Sequence, residues 1–421
     1  MTTRSSTDHP NTNDEALSLT RETSPTPSSV PVFKPLSRTP LVPEAVLKRH
    51  GAYCAIDTRF RAAARLQQAL WLKGQNITTA HDNLATKNSH SFLGSVLSAD
   101  AARAGKNFLS ADIHRLALQE WLLCEDDAAI DPERLFGNAL SSMPLAFNLF
   151  APLALDRKLA TTVFRTLLPG FVQSVDRIHF EHSPGRRNDR FLSDRTAFDL
   201  AVHITSSDGR PATVFVEVKF SESMEGPVAR MRDRYNEASR QVRLYHDPDS
   251  AILRSLAVEQ LWREHAMAQL AVDNGVTPRA IFMAIGPRLN RRVQAAFRVY
   301  EAELLDVDQR EPDRVAFAPL TLEAVIEAIA RAGASDLARA LWGRYCDLDQ
   351  VYRLSMQEFA GDDAAASRLN ADVNTTSTHP LPSARRRMSP SNRRNTTPAS
   401  AAKDIADIKT GAPGATKQAA S

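Results

Sequence analysis

The amino-acid sequence predicts an α/β fold in which a mixed sheet is flanked by helices. Apolar residues recur at helical spacing up to about residue 170, and they then alternate with polar residues between about 175 and 220. Helical spacing returns after this region and is interrupted by a short apolar run at 278–287. The resulting order is helix, three strands, helices and strand, which is typical of a sheet covered on both faces.

The first helices precede the sheet. Residues 57–74 carry apolar side chains at helical spacing and end at a glycine, and residues 110–125 do the same behind a serine that can cap the helix. The longer segment 143–170 ends at Pro-Gly, and we expect it to break near Pro152 because an internal proline removes a helical hydrogen bond.

Three strands follow, at 175–182, 196–205 and 212–220. The Asp208-Gly209 pair lies between the second and third strands and predicts a tight turn, so these two strands should form a hairpin. The remaining predicted elements are helices at 228–245 and 251–275, a strand between the prolines of 278–287, and helices at about 288–305 and 321–359.

Composition divides the chain into five parts. Residues 1–40 and 361–421 are rich in polar residues and proline, and we expect both tails to be disordered; the second is also basic around 384–394. Between them we predict a helical accessory region, the α/β core and C-terminal helices packed on that core, at 41–140, 141–305 and 306–360.

The overall composition is that of an ordinary globular protein. Hydrophobic residues make up 43% and charged residues 24% of the 421 residues, and the net charge of +3 does not by itself indicate a nucleic-acid partner. The sequence has no apolar run of the roughly 20 residues that span a bilayer and no signal-peptide pattern. Three widely spaced cysteines fit a reducing compartment. We therefore expect a cytoplasmic protein with no membrane association.

Charged residues interrupt the predicted hairpin. Glu217 and Lys219 stand two apart on the third strand and so share a face, and Asp199 lies on the second strand about as far from the turn as Glu217. Two carboxylates this close would repel each other unless a positive charge lay between them, which is the arrangement that binds a hard divalent cation. The alternative is an edge hairpin whose charges face water and form an ordinary cross-strand salt bridge.

This order of elements, with Asp on the second strand and Glu-x-Lys on the third, resembles the core of the PD-(D/E)xK nuclease superfamily. The stretches FEHSPGR, DRTAFDLAV, VFVEVKFSES and EQLWREHAMA are similar to a bacterial branch of that superfamily. The resemblance covers about residues 140–305 and implies a restriction-endonuclease-like α-β-β-β-α-β fold. The chain departs from the family pattern in one place, because Phe198 and not proline precedes Asp199.

The resemblance implies a metal-dependent nuclease that hydrolyses phosphodiester bonds, with DNA as the expected substrate. Asp199 and Glu217 would hold Mg²⁺, or Mn²⁺ in its place, together with the main-chain carbonyl of Val218, and Lys219 would be the catalytic lysine. Glu181 is placed like the additional acidic ligand of some members, or else it pairs with Arg186 or Arg187. The number of ions and endo- or exonuclease action stay open. A catalytically idle binding module is the alternative function, and a homodimer is compatible with the sequence.

Two arginine-rich stretches, 182–195 and 231–243, flank the predicted site and could neutralise phosphates. In the first stretch, Arg186 and Arg187 are the candidates for contact with nucleic acid. In the second, Gln241 and Tyr245 resemble the Gln-x-x-x-Tyr pattern of recombination-type exonucleases, and their spacing would put both on one helical face. Gln260 and Arg263 compete for the same role.

Overall fold

The computed structural model describes residues 30–82, 93–225, 231–305 and 313–361, and within them it confirms the predicted α/β architecture. The strands are β1 (Val172–His182), β2 (Phe198–Ser206), β3 (Pro211–Val218), β4 (Ala280–Gly286) and β5 (Ala316–Thr321). The helices are α1 (Glu44–Arg49), α2 (Arg59–Gly74), α3 (Ala99–Arg103), α4 (Ala111–Leu122), α5 (Ser142–Leu155), α6 (Arg157–Leu167), α7 (Asp233–Val242), α8 (Glu259–Asp273), α9 (Arg291–Glu301), α10 (Leu322–Arg331) and α11 (Ser335–Tyr345). A π-helical turn spans Glu133–Gly137, and residues 349–361 are again helical.

The five strands lie side by side in chain order and form one mixed sheet. β1, β2 and β3 are antiparallel neighbours, whereas β4 and β5 each run parallel to the strand before them. The predicted hairpin of β2 and β3 is present, and its turn is closed by Gly209, whose positive φ of 80° is readily adopted only by glycine. Leu200 pairs with Val216 at the far end of the hairpin, which sets the register of the residues beyond it.

Helices cover both faces of the sheet. Val214, Val216 and Val218 point into a core that they share with α2, α5, α6, α10 and α11. Phe215 points the other way, into a second core formed with α7, α8 and α9. Because side chains alternate along a strand, Glu217 belongs to the face that packs against α7 to α9.

Several predicted boundaries are wrong. Pro152 lies inside α5, and the break comes at Asp156, whose carboxylate caps α6 by accepting hydrogen bonds from two backbone N–H groups. Residues 251–258 form turns, so α8 is shorter than predicted. β5 was not predicted, because it is only six residues long and contains Pro319. It pairs only with β4 among the described strands, and a proline is tolerated at such a sheet edge.

The described part of the predicted N-terminal tail contacts the folded region. The ring of Phe33 stacks on Trp342 with centroids 4.6 Å apart, and the Thr39 hydroxyl donates to the carbonyl of Leu289. The folded part therefore begins before residue 41. Residues 1–29 of that tail, and residues 362–421 of the predicted C-terminal tail, lie outside the described residues. None of the helices in the described ranges is long and apolar enough to cross a membrane.

Candidate active site

Three acidic residues occupy neighbouring positions across β1, β2 and β3. Phe180 pairs with Leu200 and His182 with Phe198, so Glu181 lies beside Asp199. Leu200 pairs with Val216 in the antiparallel ladder of β2 and β3. Asp199 precedes Leu200 and Glu217 follows Val216, so Asp199 lies beside Glu217. Together with Glu264 of α8, these residues are here called the carboxylate cluster.

The Asp199 carboxylate is held by the backbone of the neighbouring strand. Its Oδ2 accepts a hydrogen bond of 2.7 Å from the backbone N–H of Val218. Burial raises the pKa of Asp199 well above its usual value, and the charge of Glu217 raises it further. Two buried carboxylates that repel each other favour the uptake of a cation or a proton between them.

Glu181 lies at the edge of the cluster. Burial raises its pKa, and the charge of Glu217 acts in the same direction. Its Oε1 accepts a hydrogen bond of 3.0 Å from the backbone N–H of Ala129, and the Arg186 guanidinium lies 3.9 Å away. The structure thus shows the predicted pairing of Glu181 with Arg186 as a loose ion pair, and a role of Glu181 as a metal ligand stays a prediction.

Lys219 supplies the positive charge inside the cluster. Its Nζ donates to Glu217 Oε1 at 2.5 Å and to Gln260 Oε1 at 2.7 Å, and both Lys219 and Glu217 are only 5% exposed. Burial alone would lower the pKa of Lys219, but the carboxylates of Glu217, Glu264 and Glu222 outweigh that effect and raise it. Lys219 is therefore a protonated hydrogen-bond donor at neutral pH.

Helix α8 contributes Gln260 and Glu264 from the facing layer. The Gln260 amide donates to Glu217 Oε1 at 2.9 Å and to Glu264 Oε1 at 2.7 Å, while its oxygen accepts from Lys219. Glu264 Oε2 is buried and has no hydrogen-bond partner among the residues that the structure describes. Burial raises the pKa of Glu264 well above its usual value, and the charge of Glu217 adds to this effect.

Glu264 was not identified from the sequence. The available signal was its spacing of four residues from Gln260, which puts the two side chains on one face of α8. The spacing indicates a shared site only when the structure shows that α8 packs over the end of β3.

Three histidines of β1 and β2 form a group of their own. The rings of His179, His182 and His203 have centroids 5.0 to 6.1 Å apart. Burial lowers the pKa of all three, that of His182 to about 4. Burial therefore disfavours a positive charge on this group of histidines.

The donor set suits Mg²⁺ or Mn²⁺ better than a metal that requires a complete protein cage. Within the described ranges, no group of three or more His, Cys, Asp and Glu side chains is arranged to hold a metal ion. Mg²⁺ commonly takes only one or two protein carboxylates, and water and substrate phosphates supply its other ligands. Asp199 and Glu217 meet this requirement, and the unpartnered oxygen of Glu264 is a further oxygen donor nearby.

The structure places two of the predicted nucleic-acid contacts beside the cluster. Gln260 and Glu264 line a cleft of about 380 Å³ together with Arg263. The Arg263 side chain is committed to protein contacts, since it bonds Glu259 and the Thr196 hydroxyl and lies 3.5 Å from Asp194. Gln260 thus orients Lys219 and Glu217, and Arg263 holds one wall of the cleft.

Arg186 and Arg187, the two other arginines that were predicted to contact nucleic acid, do not line this cleft. The Arg186 side chain is 8% exposed and donates to the carbonyl of Asp127, and its contact with nucleic acid stays a prediction. Arg187 is exposed and forms an ion pair with Asp127. Its contact with nucleic acid stays a prediction.

The predicted pairing of Gln241 with Tyr245 on one helical face is wrong. Helix α7 ends at Val242, and Arg243 adopts a left-handed conformation with φ of 53°, which turns the chain away from the helix. Tyr245 is buried in the second core, where its hydroxyl donates to the carbonyl of Trp262. Gln241 is exposed and accepts a hydrogen bond from Arg234, so only this member of the pair faces solvent.

The two arginine-rich stretches meet at one side of the 380 Å³ cleft. Arg232 donates to the carbonyl of Ser193, and Arg234 donates to that of Phe191. The hydroxyl of Tyr235 donates to Asp194. These hydrogen bonds hold the loop between β1 and β2 against the start of α7. Arginines from both stretches therefore lie at the mouth of the cleft.

A mixed sheet with Asp on its second strand, Glu-x-Lys on its third and helices on both faces defines an α/β protein with a restriction-endonuclease-like fold. A family model described as the PD-(D/E)XK nuclease superfamily matches residues 55–347 of the chain. The chain belongs to this superfamily. No curated protein and no solved structure gives a significant match.

Proposed function

We propose that the protein is a divalent-metal-dependent nuclease that cleaves phosphodiester bonds of DNA. The observation that carries the proposal is the convergence of Asp199, Glu217 and Lys219 at the end of β3, where Glu217 and Lys219 are buried and Asp199 is partly buried. Membership of the nuclease superfamily supports nucleic acid as the substrate, and the resemblance of the motifs supports DNA.

Each residue of the cluster has a chemical part in the proposed reaction. Asp199 and Glu217 would hold the cation, with the Val218 carbonyl as a further oxygen ligand and Glu181 at the edge. When bound, the cation supplies Lewis acidity toward a phosphate oxygen. Lys219, kept protonated by its acidic neighbours, donates to the phosphate and stabilises the negative charge that develops there. Gln260 is a positioning residue that fixes the directions of Lys219 and Glu217.

One observation favours a second function, that of a nucleic-acid-binding module without catalysis. Lys219 and Glu217 already satisfy each other, and both are almost fully buried. A site that keeps this ion pair closed would leave neither group free for a cation or a phosphate.

A cleavage assay separates the two functions. Plasmid, linear duplex and single-stranded DNA are incubated with Mg²⁺ or Mn²⁺ and either the wild-type protein, Lys219→Ala or Asp199→Ala. The control is Asp336→Asn, which removes an exposed carboxylate from α11. We expect cleavage by the wild type and the control but not by the two site variants. Cleavage that survives both substitutions would reject the assigned site, and no cleavage of any substrate would favour the binding module.

A further inference from the structure

A second cleft carries a concentration of positive charge that the carboxylate cluster does not use. The cleft has a volume of about 290 Å³ and lies where α2 and α9 begin. Its polar lining consists of Arg38, Thr39, Thr58, Arg59, Asn290, Arg291 and Arg292. We call it the arginine cleft.

Three of its four arginines are free to bind a ligand. Arg38, Arg59 and Arg291 are exposed, and none of them forms a side-chain hydrogen bond or ion pair within the described residues. Arg292 pairs with Glu225. Most arginines elsewhere in the described ranges are paired with acids, so three unpaired guanidinium groups around one cleft are a local excess of positive charge.

The nearest carboxylate in sequence does not cancel this charge. Asp57 precedes α2, but its side chain is only 1% exposed and is bound by Arg65 and Arg61. The arginine cleft therefore presents guanidinium groups to solvent without an acidic residue in its lining.

The backbone adds to the positive potential. α2 and α9 both start at the cleft, and the first N–H groups of a helix have no acceptor within the helix. Thr58 and Asn290 cap only the N–H groups of Arg61 and Val293. The partial positive charge of two helix N-termini thus acts in the same direction as the arginines.

The cleft is joined directly to the candidate active site. The buried side chain of Asn290 donates to the carbonyls of Phe220 and Glu222, and Arg61 donates to that of Ser221. Residues 220–222 follow Lys219 immediately, so this short segment links Lys219 along the chain to side chains at the starts of α2 and α9. Both sites lie at the end of the sheet where the parallel strands β3 and β4 terminate, which is where α/β proteins commonly bind ligands.

The chemistry of the lining favours a phosphate over a whole nucleotide. Arginine and helix N-termini bind phosphate oxygens. The aromatic ring in the lining, that of Phe60, is 7% exposed and packs edge-on against Phe220, so it offers no face on which a base could stack.

We propose that the arginine cleft binds a phosphate of the nucleic-acid backbone other than the phosphate that is cleaved. The proposal rests on the proposed function for its ligand, since the hydrogen bonds to residues 220–222 tie the cleft to the segment that follows Lys219. Binding there would be independent of base sequence and would hold the substrate across the active site.

The test measures DNA binding without cleavage. A fluorescent single-stranded oligonucleotide and a duplex are titrated in EDTA with the wild type and with Arg59→Gln/Arg291→Gln. The control is Arg331→Gln/Arg339→Gln, which removes two exposed arginines from α10 and α11 with the same change of net charge. We expect the cleft variant to weaken binding about tenfold at 0.15 M salt and to reduce the slope of log Kd against log salt by about 1 to 2. We expect the control to change neither quantity appreciably.

Equal affinity of the cleft variant and the control variant would overturn the proposal. So would an absence of DNA binding by the wild type. Calorimetric titration with inorganic phosphate is the second arm: if millimolar phosphate binds the wild type but not the cleft variant while DNA affinity is the same for both, the cleft is a free-phosphate site and the backbone assignment is wrong.

This test can fail independently of the proposed function. Normal cleavage with no effect of the cleft variant on binding would reject only the arginine cleft. Weaker binding by the cleft variant, in a protein that cleaves no DNA, would reject only the nuclease activity.

Discussion

Lys219 Nζ donates a 2.5 Å hydrogen bond to Glu217 Oε1, in a protein layer where both side chains are nearly inaccessible to solvent. The Lys219 ammonium thus acts against the charges of Glu217 and Glu264, while Glu181 at the edge of the cluster lies 3.9 Å from the Arg186 guanidinium. Gln260 of α8 hydrogen-bonds to both members of this pair: it accepts from Lys219 and donates to Glu217. The protonation of Glu217 and its carboxylate neighbours is therefore coupled to the charge of Lys219.

We expect Lys219→Met to destabilise the metal-free protein by about 3 kcal/mol at pH 8, because removing one partner of a buried ion pair leaves the other charge uncompensated. The loss should shrink at pH 5, where the cluster can take up protons in place of the ammonium. Urea denaturation in EDTA at the two pH values measures the difference. An equal loss at both pH values would show that packing, and not charge, is responsible.

We expect Asp199→Asn to stabilise the metal-free protein by about 1 kcal/mol at pH 8. The native state holds a proton on Asp199 at pH values where the unfolded state has released it, because the pKa of Asp199 is raised on folding. The wild-type free energy of unfolding therefore falls as pH rises above the ordinary pKa of an aspartate, and the asparagine variant lacks this contribution. The Val218 N–H keeps an acceptor in the variant. Denaturation curves from pH 4 to 8, with Asp336→Asn as the control, provide the measurement; a lower stability of Asp199→Asn at pH 8 would contradict the prediction.

Divalent cations should bind more tightly as pH rises from 5 to 8. A carboxylate must lose its proton to bind a metal, and the raised pKa of Asp199 extends that competition toward neutral pH. Mn²⁺ titration calorimetry in two buffers of different ionisation enthalpy should detect proton release on binding. A Kd independent of pH would argue against Asp199 as a ligand.

We expect Gln260→Glu to lower kcat by about 10²-fold with a smaller effect on KM for DNA. A carboxylate at this position cannot donate to Glu217 and Glu264, so it would disturb the directions of both Glu217 and Lys219. Gln260→Asn is the companion variant, since it keeps the amide but shortens its reach. A rise in KM with kcat unchanged would assign Gln260 to substrate binding and not to positioning.

The sequence predicted the residues of the hairpin that form the site, but not the residues that α8 adds from the facing layer. The Asp208-Gly209 turn and the alternation of the flanking strands were enough to bring Asp199 within reach of Glu217, because register follows from counting residues away from a tight turn, but the exact pairing came from the structure. Glu264 was missed because its position depends on how α8 packs over the sheet. Tyr245 was misassigned because the left-handed residue Arg243, which ends α7, has no glycine or proline signal.

The placement of Tyr245 provides its own test. We expect Tyr245→Phe to cost about 1 kcal/mol of stability, since it removes a buried hydroxyl that donates to the Trp262 carbonyl. DNA cleavage and DNA affinity should be unchanged at temperatures well below unfolding. A loss of activity without a loss of stability would indicate that Tyr245 reaches the substrate.

The most direct test of the central claim is the rate at which a labelled linear DNA is cleaved in Mg²⁺ by the wild type and by Asp199→Asn, with folding of both verified beforehand. Loss of the cation's carboxylate ligand should reduce the rate by about 10³-fold or more, while the substitution leaves the fold intact. Similar rates for the two proteins would contradict the assignment of Asp199, Glu217 and Lys219 as the hydrolytic centre.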